Sequence, residues 1–202
     1  MVINFAAYTR SQLETALGHI GRAVYSSVAL LEIQAWRTPE PVPFAQRQIG
    51  EQLVLQIGDR WGNLFDCAWF HFSGQVPTGA AGQAVVLLLD VSGEMCVFDA
   101  QGEPLRGLTN VFSEYDYSLG APGKRVLPLC DCAQGGEAVS VWADAGCNDL
   151  FGNLKNDGRI REAHIAICHE PLRQLYYDFE VLLDSLRVLP EKSPRFQQIL
   201  AA

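Results

Sequence analysis

A succession of short apolar runs, nearly all separated by glycine or proline, constrains this chain more than any other feature. The runs are residues 53–57, 67–72, 84–89, 94–98, 125–129, 138–143 and 162–168. Between them lie Pro77-Thr78-Gly79, Gly102, Gly120-Ala121-Pro122-Gly123 and Gly135-Gly136. Runs of this length with this punctuation predict the strands of a sandwich or barrel. No helix-length pattern separates them, which argues against the crossovers of a parallel α/β sheet. Residues 84–89 are apolar without alternation, as in a strand buried on both faces. Residues 67–72 alternate aromatics with smaller or polar groups.

The two ends read differently. Ser11-Gln12-Leu13-Glu14 has the form of a capping box, and Leu13, Leu17, Ile20 and Val24 follow at helical spacing. A short helix starting there is predicted, weakened by Gly18 and Gly21. Residues 38–43 are proline-rich and extended. Near the other end, Pro171 suits the first helical position. Leu172, Leu175, Tyr176, Phe179, Leu182, Leu183 and Leu186 then form a wide amphipathic stripe. Pro190 stops it. Ser193-Pro194 supplies a new cap for a helix carrying Phe196, Ile199 and Leu200. That helix is read as the start of a longer element. The expected division is a helical or extended segment over 1–40, a β-sandwich over 41–170 and a helical link over 171–202.

A chain of 202 residues can bury a core without metals or disulfides. The net charge of −8 argues against nucleic acid, which needs a cationic partner face. No apolar run approaches the roughly 18 residues of a membrane span, and the first residues lack the pattern of a secretory signal. The six cysteines, with Cys130 and Cys132 in a C-x-C pair unsuited to zinc, are therefore read as reduced thiols of a cytoplasmic protein.

Few residues mark chemistry. None of the four histidines, His19, His71, His164 and His169, falls in a metal-binding spacing, and packing or surface roles are the expectation. A glycosidase needs two carboxylates about 5–10 Å apart. Asp90, Glu94, Asp99, Glu103, Glu114 and Asp116 are available, but no pattern singles out two of them. Capping of loop amides suits Asp90 and Asp99. Among the tryptophans, Trp69 and Trp142 sit in strand-like runs and are expected in the core. Trp61 lies in a polar, glycine-bearing stretch with Asp59, Arg60, Gly62 and Asn63. It is the best-placed aromatic for a sugar or a neighbouring domain.

Taken in order, several motifs carry a family resemblance. They are Trp61-Gly62, Trp69-Phe70, the run from Val76-Pro77 to Asp90, Gly93-Glu94, the stretch from Asp99 to Thr109 with its Gly102-Glu103-Pro104 turn, and residues 145–152. With the helix from Pro171 and the 189–195 link, this resembles the non-catalytic N-terminal domain of the cytosolic and vacuolar α-mannosidases of glycoside hydrolase family 38. Gly146 departs from the family pattern as an extra small residue. The resemblance covers nearly the whole chain and implies a jelly-roll β-sandwich, similar to the galactose-binding-like domains that precede other glycosidase barrels. It also implies metal-assisted mannoside hydrolysis, through a covalent glycosyl intermediate, in a catalytic barrel outside this chain. The divalent metal would belong to that barrel, since its His-x-Asp pair and nucleophile have no counterpart here. The expected role is an accessory domain whose partner is the barrel. The alternatives are a free-standing module for mannose-containing oligosaccharides, or a structural domain that self-associates. Carbohydrate- or domain-contact candidates are Trp61, Asp90, Glu94 and Asp99; no catalytic residue, metal ligand or cofactor is assigned to this chain.

Overall fold

The computed structural model describes residues 5–109, 124–148 and 158–201. They fall into two compact units, one of Met1–Ser26 with Cys168–Ala202 and the other of Ser27–Ile167.

The larger unit is built on two facing sheets. The strands are β1 (Tyr25–Leu30), β2 (Glu32–Thr38), β3 (Glu51–Leu55), β4 (Arg60–Gly62), β5 (Cys67–Gln75) and β6 (Val85–Asp90). They continue as β7 (Glu94–Phe98), β8 (Pro104–Thr109), β9 (Val126–Cys130), β10 (Ala138–Gly146), β11 (Gly158–Arg159) and β12 (Glu162–Cys168). One sheet has the order β1-β12-β6-β9 and the other β3-β2-β5-β10-β7-β8; β4 and β11 form a small ribbon. From β5 onward the chain passes back and forth between the two large sheets, the winding expected of a jelly roll. The mainly β architecture with terminal helices thus stands. Pro128, which has no N–H to donate, lies on the edge strand β9, where it is tolerated.

Period-two patterning decides what faces the core. Phe70 and Phe72 of β5, Val97 of β7 and Val141 and Ala143 of β10 point inward, against Val85, Leu87 and Leu89 of β6. Val86 and Leu88 are buried as well, so β6 is covered on both faces as predicted. Residues 25–38, set apart by sequence as helical or extended, instead supply β1 and β2. Ile33 and Ala35 of β2 enter the core.

The outer face of the six-stranded sheet carries a second apolar cluster. Trp36 sits opposite Trp69 in the β2–β5 register, and Trp142 sits opposite His71 in the β5–β10 register. All three tryptophans are buried, with Val42, Phe44 and Phe98 against them. The extended 38–43 stretch and the turn after it form this cover. The Trp69 indole N–H donates to the Val42 carbonyl at 2.8 Å. The Arg47 guanidinium lies 3.9 Å from the Phe44 ring centroid and 4.5 Å from that of Trp142.

The smaller unit contains α1 (Phe5–Ala23), α2 (Glu170–Val188) and α3 (Pro194–Ala201). Leu183, Leu186 and Phe196 form its buried centre. α1 begins before Ser11, so Ser11 is an interior position and not the cap that its sequence context suggests. No glycine or proline precedes it to delay the helix. α3 starts as predicted, with Ser193 Oγ accepting the Phe196 N–H at 3.2 Å. Among the described residues no helix is long and apolar enough to cross a membrane.

Two substitutions separate the core from its outer cover. Phe70→Ala is expected to cost about 3–5 kcal/mol in denaturant unfolding. Arg47→Ala is expected to cost only about 0.5–2 kcal/mol, the scale of a partly buried cation–π contact.

Candidate functional site

The four residues singled out by sequence have distinct structural roles. Trp61 is 0% exposed. Its ring meets Phe70 edge-on, with centroids 5.1 Å apart. Its indole N–H donates to the Val91 carbonyl at 2.7 Å. It therefore cannot present a face to a sugar, and its assignment as a contact residue is corrected to that of a core tryptophan. The polar neighbours suggested exposure, but the one polar atom of the indole is satisfied inside by a turn carbonyl.

That turn joins β6 to β7. Asp90 closes it by accepting the Ser92 N–H at 2.8 Å. Ser92 adopts the left-handed conformation, with φ of 56°, a region that short polar residues tolerate. Burial, the largest influence on Asp90, pushes its carboxyl above the usual carboxylate range, against the opposing pull of the Ser92 amide. Gly93 is required by a close approach: an added Cβ would collide with the Gly146 carbonyl oxygen. Asp99 performs the corresponding task in the β7–β8 hairpin, where Oδ1 accepts the N–H groups of Gln101 and Glu103, each at 2.9 Å. Asp90 and Asp99 are thus amide caps, as the spacing suggested, and each works in its own turn.

Glu94 is different. It follows the turn held by Trp61 and Asp90, and its carboxylate accepts the Asn148 amide at 2.7 Å. It also lines a cleft of about 390 Å³ with Cys96, Gly107, Thr109, Lys124 and Asp144, among others. The pairing explains why these residues converge. Asp144 lies opposite Cys96, and Cys96 opposite Gly107; Glu94 lies opposite Thr109. Asp144 was not singled out by sequence, because it sits in the apolar run of β10. Burial raises its carboxyl above the ordinary range. Burial, followed by the charge of Asp144, likewise pushes up the thiols of Cys67 and Cys96.

The exposed aromatic of the 62–66 loop is Phe65, not Trp61. It is 68% exposed and has φ of 69°, a conformation costly for a bulky side chain. Its N–H donates to the Cys147 carbonyl at 2.7 Å. Nothing in the local sequence distinguishes it from a buried phenylalanine. Glu114, Asp116 and residues 149–152 of the motif reading lie outside the described residues.

Comparison with known proteins agrees with this architecture. The family described as alpha-mannosidase, jelly roll domain, matches residues 28–168. Alpha-mannosidase 2C1 of Mus musculus is 26% identical over 178 residues, covering 83% of this chain and 16% of the relative. Alpha-mannosidase 2C1 of Homo sapiens is 26% identical over 194 residues, covering 89% of this chain and 17% of the relative. The chain thus spans about a sixth of the length of these relatives. The family match coincides closely with the β unit, Ser27–Ile167. The chain belongs to the family of α-mannosidase jelly-roll domains.

Proposed function

We propose that this chain is a non-catalytic accessory domain of a cytoplasmic α-mannosidase, docking on a catalytic barrel and shaping its substrate entrance. The observation that carries this reading is the family match to 28–168 in a chain that spans only about a sixth of its relatives. The carboxylates support it. Asp90 and Asp99 are committed to turn amides and Glu94 holds Asn148. A hydrolytic pair needs carboxylates free to meet a glycosidic oxygen and an anomeric carbon. The divalent metal of the activity does not fit this donor set either. Among the described residues no three His, Cys, Asp or Glu side chains converge, and this reading assigns the metal to the barrel. Six free cysteines support a reducing, cytoplasmic setting.

The helical unit supplies a surface suited to docking. Tyr177, Val181 and Val188 recur along one face of α2, and Val181 and Val188 are 64% and 82% exposed. Exposed apolar side chains aligned in this way are the raw material of an interface.

The purified chain is expected to release no nitrophenol from p-nitrophenyl α-mannoside, with or without added divalent metal. Supplied in trans to the catalytic region of a relative lacking its matching segment, it is expected to associate and raise that region's melting temperature. Val181→Glu with Val188→Glu is expected to abolish association while leaving the chain's own melting temperature within a few degrees. Hydrolysis by the chain alone, or no association by the wild type, would contradict the proposal.

A further inference from the structure

Residues 42–47 cross the tryptophan cluster as a strap that joins neither large sheet. The Trp69 indole N–H ties the strap to the sheet through the Val42 carbonyl, at 2.8 Å. Rings do the rest. Phe44 meets Trp69 edge-on with centroids 5.5 Å apart, and lies 6.1 Å from Phe98. At the far end the Arg47 guanidinium rests over Trp142, 4.5 Å from its centroid.

Arg47 carries a charge that no carboxylate balances. Its Nη1 donates to the Phe44 carbonyl at 2.9 Å. Its buried Nε has no acceptor, and among the described residues it has no ion-pair partner. Two aromatic faces therefore supply most of what holds the cation in place.

His71 shares one of those faces. Its ring stacks on Trp142 with centroids 4.5 Å apart and 25° between the planes. Ser140 Oγ lies 2.9 Å from His71 Nε2. A hydroxyl can turn to serve either protonation state, so this bond does not fix the proton. The charged or titratable groups on the elements around His71 are Glu32 of β2, Asp144 of β10, Cys67 of its own strand, and Glu40 and Arg47 of the covering stretch. Of these, Arg47 alone acts on its titration. Burial first, then the Arg47 charge, holds the imidazole below its ordinary value. A neutral imidazole and a guanidinium can both lie against one indole. An imidazolium there would face the guanidinium with no anion between them.

We propose that residues 42–47 form an acid-released strap: protonation of His71 sets a second cation beside Arg47, drives the guanidinium off Trp142 and uncovers the outer face of Trp36, Trp69 and Trp142. The folded chain binds this proton less tightly than the unfolded one does. The stability contributed by the closed strap is therefore complete above about pH 6.5, the ordinary histidine value, and declines as pH falls toward the lowered one. The device lies wholly within the β unit and is independent of the docking face of α2.

The test follows the indole N–H signals of the 15N-labelled 202-residue chain from about pH 7.5 to about pH 5, a range that spans the histidine titration. The Trp69 signal is expected to shift and to begin exchanging with solvent, in step with the His71 imidazole and with a midpoint below about 6.5. The Trp61 indole, bonded to Val91 in the core, is the internal control and is expected to keep its bond. In His71→Gln the Trp69 bond is expected to persist to the lowest pH. That variant should also lose a few degrees less in melting temperature than wild type over the same range. Arg47→Met covers Trp142 without a charge. There His71 is expected to titrate at higher pH while the Trp69 signal no longer follows it. Arg47→Lys keeps the charge and is expected to keep the response. Circular dichroism at about pH 7.5 establishes that each variant is folded before it is titrated. A Trp69 signal that stays fixed while wild-type His71 titrates would overturn the proposal. So would an undiminished acid response in His71→Gln, or release of the strap in Arg47→Met, which would make burial and not charge repulsion the cause.

Discussion

The register between β5 and β10 governs the rest of the molecule. The two strands pair antiparallel over nine residues, from Ala138 opposite Gln75 to Gly146 opposite Cys67. Side chains alternate faces with period two, so a slip of one residue would exchange the inner and outer sets. In the observed register Phe70, Phe72, Val141 and Ala143 face the sandwich core. Trp69, Trp142 and Asp144 face outward. The core cluster, the tryptophan cluster and the cleft are therefore consequences of one pairing. Burial of the inward phenylalanines, each worth about 1.5–3 kcal/mol against exposure, strongly favours it over its neighbours.

The outward face is then divided by what covers it. Residues 42–47 lie over the three tryptophans, using a carbonyl for Trp69 and a guanidinium for Trp142. Toward β7 and β8 the cleft opens over Gly107, Cys96 and Asp144. The same sheet thus carries a closed apolar region and an open polar one, on adjacent strands. Trp61 contributes at one remove. By holding the Val91 carbonyl it fixes the turn from which Glu94 emerges.

Much of this was readable from the residues. The unbroken apolar run of β6 announced burial on both faces. Asp90 and Asp99, flanking a short segment, announced amide caps, and Ser193-Pro194 announced the start of α3. The motif order implied the jelly roll that the family match then supplied. Other features were hidden for physical reasons. β2 alternates Ile33, Ala35 with Gln34, a legible strand pattern, but the prolines beginning at Pro39 drew the whole region into an extended segment. Trp61 was misplaced because a polar neighbourhood describes the chain around an indole, not the carbonyl that receives its N–H. Asp144 was missed because cross-strand neighbours determine its environment, and these come from residues about 50 and 75 positions earlier. Side-chain placement of that kind depends on tertiary context that local pattern does not contain.

The most direct measurement is a map of cross-strand backbone contacts by nuclear Overhauser effects in the 202-residue chain. The structure predicts Phe72 opposite Val141 and Trp69 opposite Asp144, with Asp144 also opposite Cys96. Contacts displaced by one residue, placing Phe72 opposite Trp142 or Ser140, would turn the aromatic core outward and contradict both the sandwich and the cleft built on it.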